Sequence, residues 1–251
     1  MLLNEGVAVW GTARDVARLQ NLSAQKKFTA IALDLAEGDQ IERKFIEASE
    51  RAHGFDLIIN NAGFGDFAPF HQREGQEVVQ QLETALLGSV RLAHAGIRLL
   101  KACNRGCLVN VSSVAVEFPL PFMATYNITK AAISALSESL IFEMRGTGVT
   151  VIDFRPGDYR THFNRAMHVN PTMFDAAADR RLAPVWQTLE ANLAAAPTPE
   201  RAARDLRKAL NKGRSGTVYS GGFFQTRLAP FWSRVAPSSL RRAFTARYFG
   251  A

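Results

Sequence analysis

Val109-Asn-Val-Ser-Ser113 and, thirteen positions beyond its last serine, Tyr126-Asn-Ile-Thr-Lys130 decide the reading of this chain. The first stretch continues an apolar run from Cys107 and ends in two serines, as a buried strand does where it leaves a sheet. The second falls near the start of a helix-period segment, where residues four apart share a face, so a phenol and an ammonium stand one turn from each other. A positive charge favours phenolate and draws a tyrosine down from its reference pKa of about 10. Such a phenol can exchange a proton with an alcohol or carbonyl oxygen, and Ser113 at the strand end could hold that oxygen in place. A Tyr-x-x-x-Lys pair alone is usually an ordinary helix surface, so its meaning depends on what surrounds it.

Around these segments, strand-like runs alternate with helix-period ones. Strands are predicted at Val7 to Trp10, Phe28 to Asp34, Phe55 to Asn60, Cys107 to Ser112, Val149 to Phe154 and, more weakly, Thr217 to Ser220. Helices are predicted at Ala13 to Leu22, Gln40 to Arg51, Gln76 to Cys103, Ala124 to Arg145 and Pro199 to Asn211. Alternation of this kind makes an α/β chain with a Rossmann-type, doubly wound parallel sheet. One domain over 1–222 is expected, with a C-terminal extension, 223–251, packed on it. Ligands of such sheets lie at the carboxyl ends of the strands. Those junctions read Gly11-Thr-Ala-Arg14, Asp34-Leu35, Asn60-Asn-Ala-Gly63, Ser112-Ser113 and Arg155-Pro-Gly157.

Taken together, the junctions resemble the short-chain dehydrogenase/reductase family over nearly the whole chain. Asn60-Asn61-Ala62-Gly63 is similar to the family's Asn-Asn-Ala-Gly turn, the serine and tyrosine segments to its catalytic block, and Pro156-Gly157-Asp-Tyr-Arg-Thr161 to its Pro-Gly-x-x-x-Thr segment. The resemblance implies a nicotinamide-dependent oxidoreductase acting on CH–OH groups, with Ser113, Tyr126 and Lys130 catalytic and Lys130 also gripping the nicotinamide ribose. It implies that Pro156, Gly157 and Thr161 hold the carboxamide end, that Asn61, Ala62 and Gly63 lie along the adenosine ribose, and that Asp34 and Leu35 flank the adenine. Asp34 as a strand-end cap and Thr161 as a helix cap are the plainer readings of those two residues. Homo-oligomers, through the helices at Gln76 to Cys103 and Ala124 to Arg145, are also implied.

Three departures qualify the likeness. No carboxylate stands in the turn after Val7 to Trp10 before Asp15, whereas Arg14 is placed to meet a 2′-phosphate, which favours NADP over NAD; a surface ion pair is the plainer role for Arg14. The family's first strand and glycine-rich turn, which receive the pyrophosphate at a helix N-terminus, are missing before Val7, and Met1 to Gly6 reads as the end of the helix that would follow them. A start assigned too far downstream is the explanation we favour. That strand would lie mid-sheet, so its loss removes on the order of 10 kcal/mol of apolar burial, comparable with a whole domain's stability, unless its neighbours close the gap. Finally, Ala85 occupies the place of an asparagine that in the family helps seat a water beside the lysine. The rival to an enzyme is a catalytically impaired binding or regulatory protein on the same fold.

Phe64, Phe67, Phe70, Phe118, Phe122, Met123, Phe163, Met167, Met173, Phe174 and Trp186 cluster in the segments that flank the family's substrate pocket, which suits a lipophilic alcohol or its ketone or aldehyde; core or subunit packing would use the same residues. The charge is uneven: residues 1–200 hold 19 basic and 22 acidic side chains, residues 201–251 hold 11 and one. Two basic amphipathic units divided by Pro237 follow Gly222. They could cover the substrate mouth, join subunits, or lie on an anionic membrane surface; nucleic acid suits them least. No run reaches the length of a membrane span, and Met1-Leu-Leu-Asn-Glu is unlike a signal peptide, so a cytoplasmic protein, peripheral to the membrane if the tail binds it, is expected. Cys103 and Cys107 read as reduced thiols, and no metal spacing is present.

Overall fold

The computed structural model describes the chain apart from residues 162, 164–166, 168, 170–173 and 175–178; the expectation for Met173 therefore lies outside the described residues. The described residues form six parallel strands, in two sections. β1 (Val9–Ala13) pairs with β2 (Phe28–Ala32). β3 (Leu57–Asn60), β4 (Gly106–Val111), β5 (Val149–Pro156) and β6 (Gly216–Ser220) pair in that order. The strands are joined by helical crossovers, as parallel pairing requires.

α2 (Gly38–Arg51), α4 (Gly88–Cys103) and α5 (Ala124–Glu143) cover one face, and α7 (Pro199–Asn211) covers part of the other. Side chains alternate along β4 and β5 accordingly. Leu108 and Val151 face Ala93, Ile97, Leu100 and Leu140 of α4 and α5, while Val109, Ile152 and Phe154 face Ala209 of α7 with Leu206 and Leu210 beside it. Ile59, on β3, is 37% exposed: the α7 side of the sheet is left uncovered there.

Among the described residues β1 and β3 form no ladder with each other, so each has one unpaired edge. Trp10 nonetheless stands edge-on to Phe55, just before β3, at 6.1 Å, and Arg51 lies over its ring. The neighbours of the expected central strand have not closed into one sheet.

Several boundaries differ from expectation. β1 begins two residues later, because Val7 and Ala8 stay exposed while Gly11 to Ala13 are drawn into pairing with β2. The helix expected from Ala13 shrinks to a 3-10 turn (Val16–Leu19) and one-turn α1 (Gln20–Ser23), with the Asp15 carboxylate capping the Ala17 amide. The long helix from Gln76 is instead α3 (Gly75–Leu82) and α4 joined by a π-turn, Glu83–Leu87, that contains Ala85. α6 (Leu182–Ala195) was not expected, although Leu182, Val185, Leu189 and Leu193 repeat at helical spacing. The tail forms a π-turn (Phe224–Leu228) running into α8 (Ala229–Val235), then α9 (Ser238–Phe249). Phe249 reaches the core cluster of Leu182, Val185 and Leu189.

Candidate active site

Ser113, Tyr126 and Lys130 come together at the carboxyl end of β4, each 8% exposed. The strand delivers Ser113, and its hydroxyl accepts the Ala115 amide at 3.0 Å, capping the short turn that follows. The first turn of α5 delivers the other two. Lys130 Nζ donates to the Val111 carbonyl at 2.8 Å and lies 5.9 Å from the centre of the Tyr126 ring. A β-carbon on Gly63 would stand 3.3 Å from Nζ, so the turn after β3 comes close to the ammonium.

The electrostatics reverse one expectation. Burial pushes the Tyr126 phenol up to about 12; the neighbouring Ser113 hydroxyl pulls the other way, and the Asp158 charge adds to the rise. Burial also pulls the Lys130 ammonium down to about 8, against the opposing charge of Asp153. Desolvation therefore decides the phenol's pKa, and Tyr126 is a protonated group at neutral pH.

Beneath these residues runs a polar layer that was not anticipated. Asn60, Asn110 and Asp153 occupy one register row across β3, β4 and β5, and all three are buried. Asn60 Nδ2 donates to Asn110 Oδ1 at 3.2 Å, and Asn110 Nδ2 to Ser137 Oγ at 3.0 Å. The Asp153 carboxylate accepts from Ser112, from Ser134 at 2.8 Å and from Arg155 Nε at 2.7 Å. Arg155 continues to Glu117, which also accepts from the Tyr219 hydroxyl at 2.7 Å. Burial would raise the Glu117 carboxyl, but hydrogen bonds from Ser233 and Tyr219 and the Arg155 charge leave it lowered. The sequence signal was two charges two apart, Asp153 and Arg155, on one face of an otherwise apolar strand.

The remaining expected positions divide. Asn61, Ala62 and Gly63 are exposed after β3, and Arg14 is exposed immediately after β1; Arg14 has no ion-pair partner among the described residues. The Asp34 carboxylate accepts the Ala36 amide at 3.0 Å, the plainer capping role, and Leu35 packs by its backbone against Gly88. The Thr161 hydroxyl likewise accepts the Phe163 amide at 3.3 Å. Gly157 gives its amide to the Ser220 carbonyl at 2.7 Å, and the Gln225 side chain of the tail fills the space beside it. Gln225 bonds Asp158 at both ends, accepting its amide at 3.2 Å and donating to its carboxylate at 2.7 Å. The backbone of this segment is thus already engaged by the protein.

Apolar side chains enclose Tyr126 on its other side. Phe163 meets its ring edge-on at 5.6 Å, while Phe67, Met123, Met167, Phe122 and Trp186 form one cluster with it. Phe174 stacks on Phe67 at 6.5 Å. Phe70 is 53% exposed, and Phe118 turns to Phe244 of the tail instead. Around Ala85, Ser89 Oγ donates to the Ala85 carbonyl at 2.8 Å, and Gln81, one turn earlier, buries both amide atoms without a partner among the described residues. An open cavity of about 410 Å³, lined by Met144, Arg145 and Arg214, lies at the amino end of β5, away from this chemistry.

A sequence model described as short chain dehydrogenase matches residues 1–171. A 3-ketodihydrosphingosine reductase of Bacteroides thetaiotaomicron is 26% identical over 163 residues, 65% of this chain and 59% of that protein. The chain thus matches about three fifths of that relative's length. A short-chain dehydrogenase from Streptomyces avermitilis superposes with a TM-score of 0.78 at 26% identity, covering 97% of this chain and 87% of the other. A metagenomic short-chain oxidoreductase in complex with NADP does so with a TM-score of 0.58 at 29% identity, covering 63% and 74%. With the matched residues running from the first strand through the serine, tyrosine and lysine just described, this chain belongs to the short-chain dehydrogenase family.

Proposed function

We propose that the protein is an NADP(H)-dependent oxidoreductase that interconverts a lipophilic alcohol and its ketone or aldehyde. The observation that supports this most is the burial of Tyr126, Lys130 and Ser113 in one group, with Gly63 against the ammonium and an apolar cluster against the phenol. In this reading Ser113 holds the reacting oxygen, Tyr126 passes a proton to it, and Lys130 fixes the ribose hydroxyls. A phenol kept protonated can give its proton to a carbonyl oxygen, the step that reduction requires. Bound NADPH supplies the hydride. Asn61, Ala62 and Gly63 would run beside the adenosine ribose, Asp34 and Leu35 beside the adenine, and Pro156, Gly157 and Thr161 beside the carboxamide. Exposed Arg14 suits a 2′-phosphate, and the choice of NADP over NAD rests on that residue. The sphingoid substrate in the Bacteroides relative's name is of the lipophilic class proposed.

Tyr126, Lys130 and Gly63 suit the nicotinamide ribose and exposed Arg14 a 2′-phosphate, whereas the Gly157 amide is taken by Ser220 with Gln225 beside it, and no glycine-rich turn for the pyrophosphate is found among the described residues. The unpaired edges of β1 and β3 and the exposed Ile59 favour a further parallel strand between them, carried with that turn on an upstream segment. Residues 1–222 would then form the nucleotide domain and 223–251 its extension. Exposed Val79, Leu87, Ile128 and Phe142 support homo-oligomers through α3 to α5. Were the fold a non-catalytic binding module, the apolar cluster would persist but the phenol would be idle.

The test uses a chain extended by the in-frame upstream codons. NADPH should bind, read by its fluorescence, and Tyr126→Phe should lower turnover by about 10²- to 10⁴-fold while changing nucleotide affinity little. Absence of NADPH binding removes the enzyme reading, and undiminished turnover removes the assignment of the proton donor. Arg14→Gln should reduce the preference for NADPH over NADH by on the order of tenfold, the worth of one hydrogen bond to a charged group; an unchanged ratio denies Arg14 that role.

A further inference from the structure

Residues 223–251 hold five arginines and no acidic side chain, and they present an apolar face that the rest of the chain does not cover. Phe223 is 71% exposed, Leu228 48%, Phe231 65% and Val235 60%. Leu228, Phe231 and Val235 follow one another at intervals of three and four, a stripe along the π-turn and α8 with exposed Phe223 at its head. Single exposed apolar residues are ordinary, but a continuous group marks a surface that meets something.

The stripe is not exposed for want of anchorage. Trp232 lies edge-on to Phe244 of α9 at 5.2 Å, and Phe244 in turn meets Phe224 at 6.0 Å and Phe118 of the main domain at 6.3 Å. Gln225 is bonded to Asp158, and Arg241 Nη1 reaches the Glu117 carbonyl at 3.5 Å. The inward side of the tail is therefore held by aromatic contacts and hydrogen bonds, and the stripe is left pointing outward with exposed Arg227 and Arg234 within its run.

We propose that this outward face docks on an anionic lipid surface, with Phe223, Leu228, Phe231 and Val235 entering the boundary between headgroups and acyl chains and the arginines meeting lipid phosphates and carboxylates. A helix with one apolar side, basic flanks and no acidic group is suited to lie in that plane, and each basic residue adds attraction to a negative leaflet. A second copy of the chain suits the face less well, because two-fold pairing would bring Arg227 and Arg234 against their own equivalents. Nucleic acid would use the arginines but not the large apolar groups between them. The inference rests on the tail's geometry and charge and not on the catalytic reading, so either can fail alone.

The full chain is to be sedimented with vesicles of phosphatidylcholine alone and of equal parts phosphatidylcholine and phosphatidylserine, at low and high salt, without nucleotide. It should pellet with the phosphatidylserine vesicles, less at high salt, and remain in solution with the neutral ones. Phe223→Ser with Phe231→Ser should lower partitioning by on the order of tenfold or more, and Arg227→Gln with Arg242→Gln by on the order of tenfold at low salt. All four side chains are exposed, so unchanged far-UV circular dichroism confirms that the variants fold. Equal binding to both kinds of vesicle, binding to neither, or binding untouched by the phenylalanine pair overturns the proposal. So does a dimer in sedimentation velocity that the phenylalanine pair dissociates while vesicle binding stays absent.

Discussion

Lys130 and Tyr126 give the pH dependence of stability two opposing arms. The ammonium pKa falls from 10.5 to about 8 on folding through burial, so the folded chain holds that proton less tightly than the unfolded one. Its stabilising contribution is present above the unfolded pKa and is lost as pH falls through 8. The phenol rises from 10 to about 12, again through burial, so its contribution is present below 10 and lost as pH climbs from 10 to 12. Stability should therefore increase by about 2 kcal/mol between pH 8 and 10, the part of the lysine's contribution that falls within that window, and decline beyond. In Lys130→Met that increase should vanish, which melting curves across this range would show; an equal slope in the variant would mean that the ammonium is not the group responsible. The identities of Ser113, Tyr126 and Lys130, and their spacing, were legible because a strand end and a helix start impose them. Their titration was not, because it depends on how completely the surrounding chain removes water.

At the scale of elements, Asp153 and Arg155 on β5 tie the sheet to α5 through Ser134 and to the loop after Ser113 through Glu117. Removing one partner strands the other charge in the interior. Asp153→Ala should lose about 3–5 kcal/mol by urea unfolding, and adding Arg155→Met should recover part of that loss, since no buried guanidinium is then left half-paired with Glu117 on one side only. Failure of the second change to recover anything would show that the serine contacts matter more than the charge pair. Gln81→Met should gain about 1–3 kcal/mol, because the glutamine buries both amide atoms without a partner among the described residues; a loss of stability would reveal a water held there. Strand and helix types were largely readable from periodicity. Their limits were not, since pairing with β2 decides where β1 starts and a π-turn at Ala85 interrupts a pattern that reads as unbroken helix. α6 shows the reverse case: its spacing was visible in Leu182, Val185 and Leu189, but the Trp186 ring among them reads equally well as pocket lining.

For the whole molecule, the division of six parallel strands into a pair and a quartet governs stability. Parallel order follows from the alternation of segment types, but which strands are neighbours depends on contacts between distant residues, which no local pattern encodes. An added parallel strand between β1 and β3 would bury about five apolar side chains, and the unfolding free energy should rise by on the order of 10 kcal/mol. An extended chain no more stable than the present one would show that those edges are completed otherwise. Among the described residues, β1 and β3 each have one edge whose amides and carbonyls join no ladder. Such a row is a mould for any extended peptide that passes. Concentration would then limit the usable protein before temperature does, and molecules would zip together strand by strand into precipitate while most of each remains folded.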